Sequence, residues 1–451
     1  MKRFLSIIIA ACGVLVTNAQ NGINSPYSRY GFGIQSERAM GFNKGMGGVA
    51  QGFRNGQQIN TANPASYSAV DSLTALFDIG ISLQNGNYKM DDLQQNRRNT
   101  SFDYFAFQFR ARRKLGMTLA LMPITNIKYS FSSSSSPLEG RENVTSSYAF
   151  TGDGGLREVF LGAGWNPIKP LSIGVNVGYV WGDYNHKMVM SFSESTAYSM
   201  ARIYTADIST YDVQAGAQYV FPLNKDDQLT IGATYSLGHG VSSSAFRTTQ
   251  TLSGTTVQSQ TTDTVSHAFQ MPHSISAGVT YSHAGRLRVG ADFELQKWSD
   301  CRFPNQQTNY TENGISTTDT YNATKGQLYD KTKVAAGIDW TPDPTAKKLF
   351  RQATYKVGGY YANTYTKADL TGSVTKKPYE FGLSAGVTLP ITNRNIWHNS
   401  PKINLSVQWI HTNIPYLNTS NMSKSALVEN YFKLNIGLTF SERWFYKWKV
   451  Q

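Results

Sequence analysis

Chemistry at a protein site needs particular side chains at particular spacings, and this sequence offers few. Its seven histidines stand at 186, 239, 267, 273, 283, 398 and 411. No two are spaced as His-x-x-x-His or set beside a cysteine, so no metal-ligand pattern is present. His411 could serve a hydrolase triad, but no serine motif accompanies it, and it reads as a polar residue at a strand end. Gly152-Asp153-Gly154-Gly155 reads as a plain turn rather than a weak cation loop. Gly45 to Gly48 lacks the Lys-Ser/Thr that completes a phosphate loop. The sequence therefore predicts neither an enzyme nor a cofactor, and its function must come from architecture.

The chain has 451 residues, 40% hydrophobic, 13% aromatic and 16% charged, against roughly 25% charged in ordinary soluble domains. The aromatic content argues against disorder. The longest apolar run, Phe4 to Val16, is too short for a spanning helix, which needs ~20 residues. With Lys2 and Arg3 before it and Thr17-Asn18-Ala19 after it, that run predicts a secretory signal over residues 1–19, cleaved before Gln20. A lipoprotein box at Ile9-Ala10-Ala11-Cys12 is the rival. The apolar stretch before Cys12 is short and continues past it, which favours the ordinary signal. Removal of residues 1–19 leaves 40 basic and 29 acidic residues, a net charge of +11, and Cys301 as the sole cysteine, so no intrachain disulfide is possible. No continuous basic stripe suits nucleic acid. Contact with anionic lipopolysaccharide is the more natural use of the charge.

The elements are set by a period of two. Leu171, Ile173, Val175, Val177, Tyr179 and Trp181 alternate with small or polar residues, as in a strand with one oily face. The pattern recurs from Leu229, Leu287 and Phe432. It predicts fourteen strands, over 75–84, 101–112, 115–131, 156–165, 171–184, 209–222, 228–241, 273–283, 286–298, 332–341, 353–365, 378–389, 402–412 and 430–441. Short and mostly longer, polar connections alternate. That sorting predicts an all-β fold: a transmembrane antiparallel β-barrel in the outer membrane, with short turns and both termini periplasmic. A spanning sheet must close on itself, because unpaired backbone groups in hydrocarbon cost several kcal/mol each. Aromatics near strand ends, among them Tyr129, Phe131, Trp165, Tyr179, Tyr219, Phe221, Trp298, Trp340, Trp444 and Phe445, predict girdles at the headgroup level. Arg288, Asp292, Glu294, Asp339 and Lys433 fall on the inward face, either as docking points or as generic polar lining.

Residues 20–74 break the pattern and are rich in glycine. They are most economically stored in the lumen of a barrel over residues 75–451. Here lie Arg38-Ala39-Met40-Gly41, then Gly45-Met46-Gly47-Gly48-Val49-Ala50, then Asn63-Pro64-Ala65. This layout resembles the FadL family of outer-membrane transport proteins, in which a glycine-rich stretch and an Asn-Pro-Ala motif form an N-terminal hatch ahead of fourteen strands. The tail past the last strand, through Trp444-Phe445-Tyr446, departs from the family. The resemblance implies uptake of a hydrophobic molecule or lipid, which binds under the outer loops and leaves sideways through the wall. Ile34, Met40, Phe42, Met46 and Phe53 are the hatch residues expected to meet a ligand, unless they only pack the hatch against the wall. A kink in the third strand makes the lateral opening in that family, and Pro123 lies midway along the third strand here. Proline removes a ladder donor and is normally kept off central strands, so Pro123 is the gate candidate, the competing reading being a tolerated bulge or two merged segments. Relatives with the same barrel, such as the PorV-type proteins of type IX secretion, imply an alternative role in docking other outer-membrane or secreted proteins.

Overall fold

A computed structural model of the chain describes residues 25–90, 93–132, 136–138, 141–194, 196–310, 317–367, 377–391, 401–418 and 423–443. The expected signal segment, His398 and the tail from Trp444 lie outside the described residues.

The wall begins with β1 (Thr74–Met90) and β2 (Leu93–Arg112), followed by β3 in two main pieces, Leu115–Pro123 and Thr125–Ser132. Next come β4 (Arg141–Ile168), β5 (Leu171–Phe192), β6 (Ser199–Pro222), β7 (Asp227–Ser236), β8 (Ser274–His283) and β9 (Leu287–Gln296). The circuit ends with β10 (Lys331–Trp340), β11 (Thr354–Asn363), β12 (Tyr379–Pro390), β13 (Lys402–Asn418) and β14 (Ser423–Arg443). Each strand pairs antiparallel with the next, and β14 returns to β1 through Thr74↔Arg443 to Met90↔Leu427. The result is a closed barrel of 14 strands. Closure leaves no long sheet edge to be satisfied by water.

The outward face is oily for the reason the periodicity gave. Ile173, Val175, Val177, Val289, Phe293, Val334, Ile338 and Val407 are all exposed on it. Trp165, Tyr219, Phe221 and Trp340 are exposed at one end, and Tyr179 and Tyr211 stand higher. From Tyr211 to Phe221 the strand climbs about 33 Å, or about 23 Å along the normal at a tilt of ~45°, close to the ~25 Å apolar band of outer-membrane barrels. Three girdle expectations fail. Tyr129 is buried, its hydroxyl 2.6 Å from His186 Nδ1, and Trp298 is buried in an aromatic cluster. Phe131, on the same face as Tyr129, is only partly exposed and packs on Tyr129 and Phe150.

Several strands outrun their oily cores. β1 and β2 stay paired to Met90↔Leu93, where the sequence reading placed a loop over 85–100. β4, β5, β6 and the β13–β14 pair extend in the same direction. Beyond the lipid both faces of a strand are wet, so the hydrophobic alternation vanishes while the ladder continues. Two further hairpins, Ala245–Ser253 with Thr256–Val265 and Phe303–Tyr310 with Thr317–Thr324, stand at this long-loop end. At the short-turn end, the β10–β11 connection carries one helix, α1 (Leu349–Gln352).

Residues 25–73 lie inside the barrel. They contain a two-residue strand (Ile34–Gln35) and a 3-10 turn (Pro64–Ala69). Their partners are lumen-facing groups from strands around most of the circuit.

Candidate functional site

The Asn-Pro-Ala motif builds the seat of this luminal segment. Asn63 caps the turn Pro64–Ala69: its Oδ1 accepts from Ala65 N at 3.1 Å, and proline occupies the first helical position, where a missing N–H costs nothing. The Asn63 Nδ2 donates to Gln51 O at 3.0 Å and to Ala217 O of β6 at 3.3 Å. One side chain thus ties the turn to itself, to the preceding loop and to the wall. The turn can sit this low because the wall beneath it is glycine. A Cβ at Gly174 of β5 would lie 2.5 Å from Pro64 O and 2.6 Å from Ala65 N. Gly47 takes φ +68°, and its N–H donates to Ser384 Oγ of β12 at 2.8 Å.

Met40, Phe42 and Phe53 form one core with Tyr104, Ala106, Met122 and Phe160 of β2–β4. The Phe42 and Phe53 ring centroids are 4.4 Å apart, and the Arg288 guanidinium lies 4.4 Å over Phe53. Met46 is fully buried against Gly337 and Gly358. These four residues fill space. Among the five expected ligand contacts, Ile34 alone lines an open chamber. That chamber, of about 190 Å³, is bounded by Ile34, Gln35, Glu37, Glu294, Lys331 and Lys433 among others.

Ion pairs ring the segment. Arg38 donates to Glu158 of β4 at 2.8 Å and to Asp212 of β6 at 3.3 Å. Lys44 pairs with Asp103 of β2. Asp292 of β9 accepts from the backbone N–H groups of Ala50 and Gln51 at 2.6 and 2.9 Å. Arg288 donates to Asp339 at 2.8 Å. Glu37 accepts from Lys333 of β10 at 3.3 Å and from Gln408 of β13 at 3.2 Å. Burial alone would raise the Glu37 pKa, but Lys333, Lys44 and Lys433 together outweigh it and hold it at about 2. The sequence reading named Arg38 only as part of a motif, without its partners, and missed Glu37 and Lys44. Their signal was available: charges in a segment expected to be stored inside a lumen need partners.

Above the chamber, Phe32 projects from Gly31-Phe32-Gly33, whose glycines take φ +60° and +87°. Its ring is 1% exposed. It packs 5.1 Å from Phe303 edge-on, 5.4 Å from Phe269 and 5.9 Å from Trp298, with Tyr365 Oη donating to Gly33 O at 2.6 Å. The cluster continues through Val241 and Tyr321 toward the long loops, and through Leu156, Val180 and Ile124 toward the wall.

At the wall, β3 changes partners. Leu115–Pro123 pairs with β4 throughout and with β2 as far as Phe105↔Leu121. Past Pro123 the β2 neighbour is lost. Thr125–Ser132 keeps β4 on one side and on the other takes the luminal strand, Ile34↔Asn126 and Gln35↔Thr125. Between Pro123↔Arg157 and Ile127↔Gly154, β3 advances one residue more than β4, a bulge. Gly155, at φ +123°, lets the displaced strand approach: a Cβ there would stand 2.9 Å from Asn126 Cα. The described β2 backbone from Gln94 to Arg98 has β1 as its ladder neighbour and no second one among the described residues. Pro123 therefore marks a break in the wall.

No group of three or more His, Cys, Asp or Glu that could hold a metal is found among the described residues.

Comparison with solved structures shows the same architecture. A FadL homologue of Pseudomonas aeruginosa matches with a TM-score of 0.61 at 11% identity, over 91% of this chain and 99% of its own. The P. putida toluene transporter TodX matches at 0.58 and 14% identity, over 92% and 100%. The monoaromatic hydrocarbon channel CymD matches at 0.57 and 13%, over 92% and 99%. These structural matches show a FadL-type barrel fold. No curated protein matches the chain. One sequence family, BamG, matches it over residues 1–451. A FadL-type barrel in fold, this chain belongs to the BamG family.

Proposed function

We propose that the barrel admits a small hydrophobic compound at its long-loop end and releases it sideways through the wall break at Pro123. In this reading the long loops face the exterior, and the short turns and both termini face the periplasm. Residues 25–73 act as the hatch. The observation that carries the reading is the partner exchange of β3, which opens the ladder beside the hatch strand, at the foot of an apolar cluster that begins among the long loops. The straight route through the lumen is obstructed by ion-paired hatch residues, so a sideways exit is the cheaper path for an apolar solute. TodX and CymD, alike in fold, are named for toluene and monoaromatic hydrocarbons, and the cluster here is built from rings. Ile34 and Phe32 are the hatch residues placed to meet the solute; Met40, Phe42, Met46 and Phe53 hold the hatch. The test is uptake by cells carrying Pro123→Val, which restores a backbone donor to β3. Uptake should fall, and unchanged uptake would remove the gate.

A second reading is a barrel that anchors partner proteins in an outer-membrane assembly. The specific observation in its favour is that Phe32 already fills the aromatic box. Extraction in mild detergent separates the two: a co-purified lipid or hydrocarbon supports transport, and a co-purified protein supports anchoring.

A further inference from the structure

The short-turn end carries a feature that neither the hatch nor the gate uses. The β10–β11 connection reads Lys347-Lys348-Leu349-Phe350-Arg351. Phe350 is 75% exposed and Leu349 45% exposed, and Lys347, Lys348 and Arg351 are exposed with them. Two large apolar side chains facing out of a turn need a reason, because a merely solvated loop gains nothing from them. The turn is also built rather than loose. Ala353 N–H donates to Leu349 O at 2.9 Å, and Asp343 N–H to Arg351 O at 2.9 Å. The Tyr355 hydroxyl donates to Phe350 O at 3.0 Å. Tyr355 stands beside Trp340, ring centroids 6.3 Å apart, and both face outward in the aromatic girdle. The turn is thus pinned at the depth where the lipid-facing band ends.

We propose that α1 and its flanking cations form a headgroup site for anionic phospholipid of the leaflet at the short-turn end, with Leu349 and Phe350 seated among the upper acyl carbons and Lys347, Lys348 and Arg351 on the phosphates. The charge pattern fixes the sign: three cations flank the apolar pair, and the connection's single acid, Asp343, is engaged by Thr345. Long basic side chains lay their stems on apolar surface while their heads reach the phosphates. The proposal rests on the outer-membrane reading of the barrel, and flotation with liposomes tests that reading separately.

The experiment uses the full secreted chain. With residues 1–19, and so Cys12, removed, Cys301 is its sole cysteine and is buried, so Phe350→Cys can be labelled selectively with an environment-sensitive nitrobenzoxadiazole dye. The labelled barrel is reconstituted in phosphatidylcholine bilayers with and without phosphatidylglycerol. Emission should shift to the blue and be quenched by lipids spin-labelled near the headgroup, more strongly with phosphatidylglycerol present. Each cation near an anionic leaflet is worth about fivefold in affinity, so adding K347Q, K348Q and R351Q should cut the preference for phosphatidylglycerol by about a hundredfold. A water-like emission in both bilayers, or a signal indifferent to phosphatidylglycerol, would overturn the site. A dye exposed in both bilayers but shielded in native outer membranes would assign the surface to a protein partner and equally overturn it.

Discussion

Arg38 holds two carboxylates from different strands, and Glu158 has no other cation within ion-pair distance among the described residues. Arg38→Met strands a buried carboxylate, a change that typically costs about 3–5 kcal/mol; with the Arg38 side chain 33% exposed, the lower end applies. The expected result is a hatch that proteases reach in the intact barrel, with protection regained when Glu158→Gln and Asp212→Asn are added. Glu37 makes a pH prediction. Its pKa is lowered from 4.5 to about 2 in the folded protein. Its contribution is therefore complete above pH 4.5 and is lost as pH falls from there towards 2, worth at most about 3 kcal/mol. Amide exchange of the hatch should accelerate across that window, and Glu37→Gln should flatten the response.

At the scale of elements, the Asn63 cap and the β3 break make opposite demands. Asn63→Ala removes the cap, worth about 1 kcal/mol, and with it the bonds to Gln51 and Ala217. It should lower the melting temperature of the hatch without closing the wall, which calorimetry and uptake measure separately. Pro123→Val should do the reverse, raising stability while uptake falls. The fourteen strand cores were legible because lipid on one side and a polar or glycine-lined lumen on the other write a period of two into each. The outer extensions were not, because two wet faces write none. β3 shows the limit most clearly. Leu119 is exposed before the break, and Ser130 and Ser132 after it, so the outward parity switches from odd to even. A single-period reading through 131 therefore placed Tyr129 on the lipid side. Proline was visible; the extra residue that turns every following side chain over was not. In the hatch, Asn63-Pro64-Ala65 was legible as a motif. Phe32 was not, because nothing local distinguishes a ring aimed at residues more than two hundred positions away.

Taken as a whole, the molecule is a 14-stranded wall around a luminal segment tied down by Glu37, Arg38 and Lys44, with Phe32 filling an aromatic box above the open chamber. That arrangement allows the two readings of its function to be tested on one side chain. Phe32→Ala leaves a ring-sized hole in a box of Phe269, Trp298 and Phe303, and an unfilled aromatic cavity costs about 3–5 kcal/mol. A dry apolar hole of this kind accepts a small hydrocarbon. Toluene should therefore raise the melting temperature of the Phe32→Ala barrel in a saturable way and leave the parent barrel almost unchanged. This outcome alone shows only that the box fits a ring. The functional question is settled by uptake. If the box lies on a transport path, removing the ring that blocks it should speed hydrocarbon entry into cells, and adding Pro123→Val should abolish the gain, because the exit would be closed. If the barrel is an anchor, the hole will still bind toluene but entry will not change in either variant. Stability rescue without a Pro123-dependent change in entry would leave the FadL-type wall intact and remove the transport function.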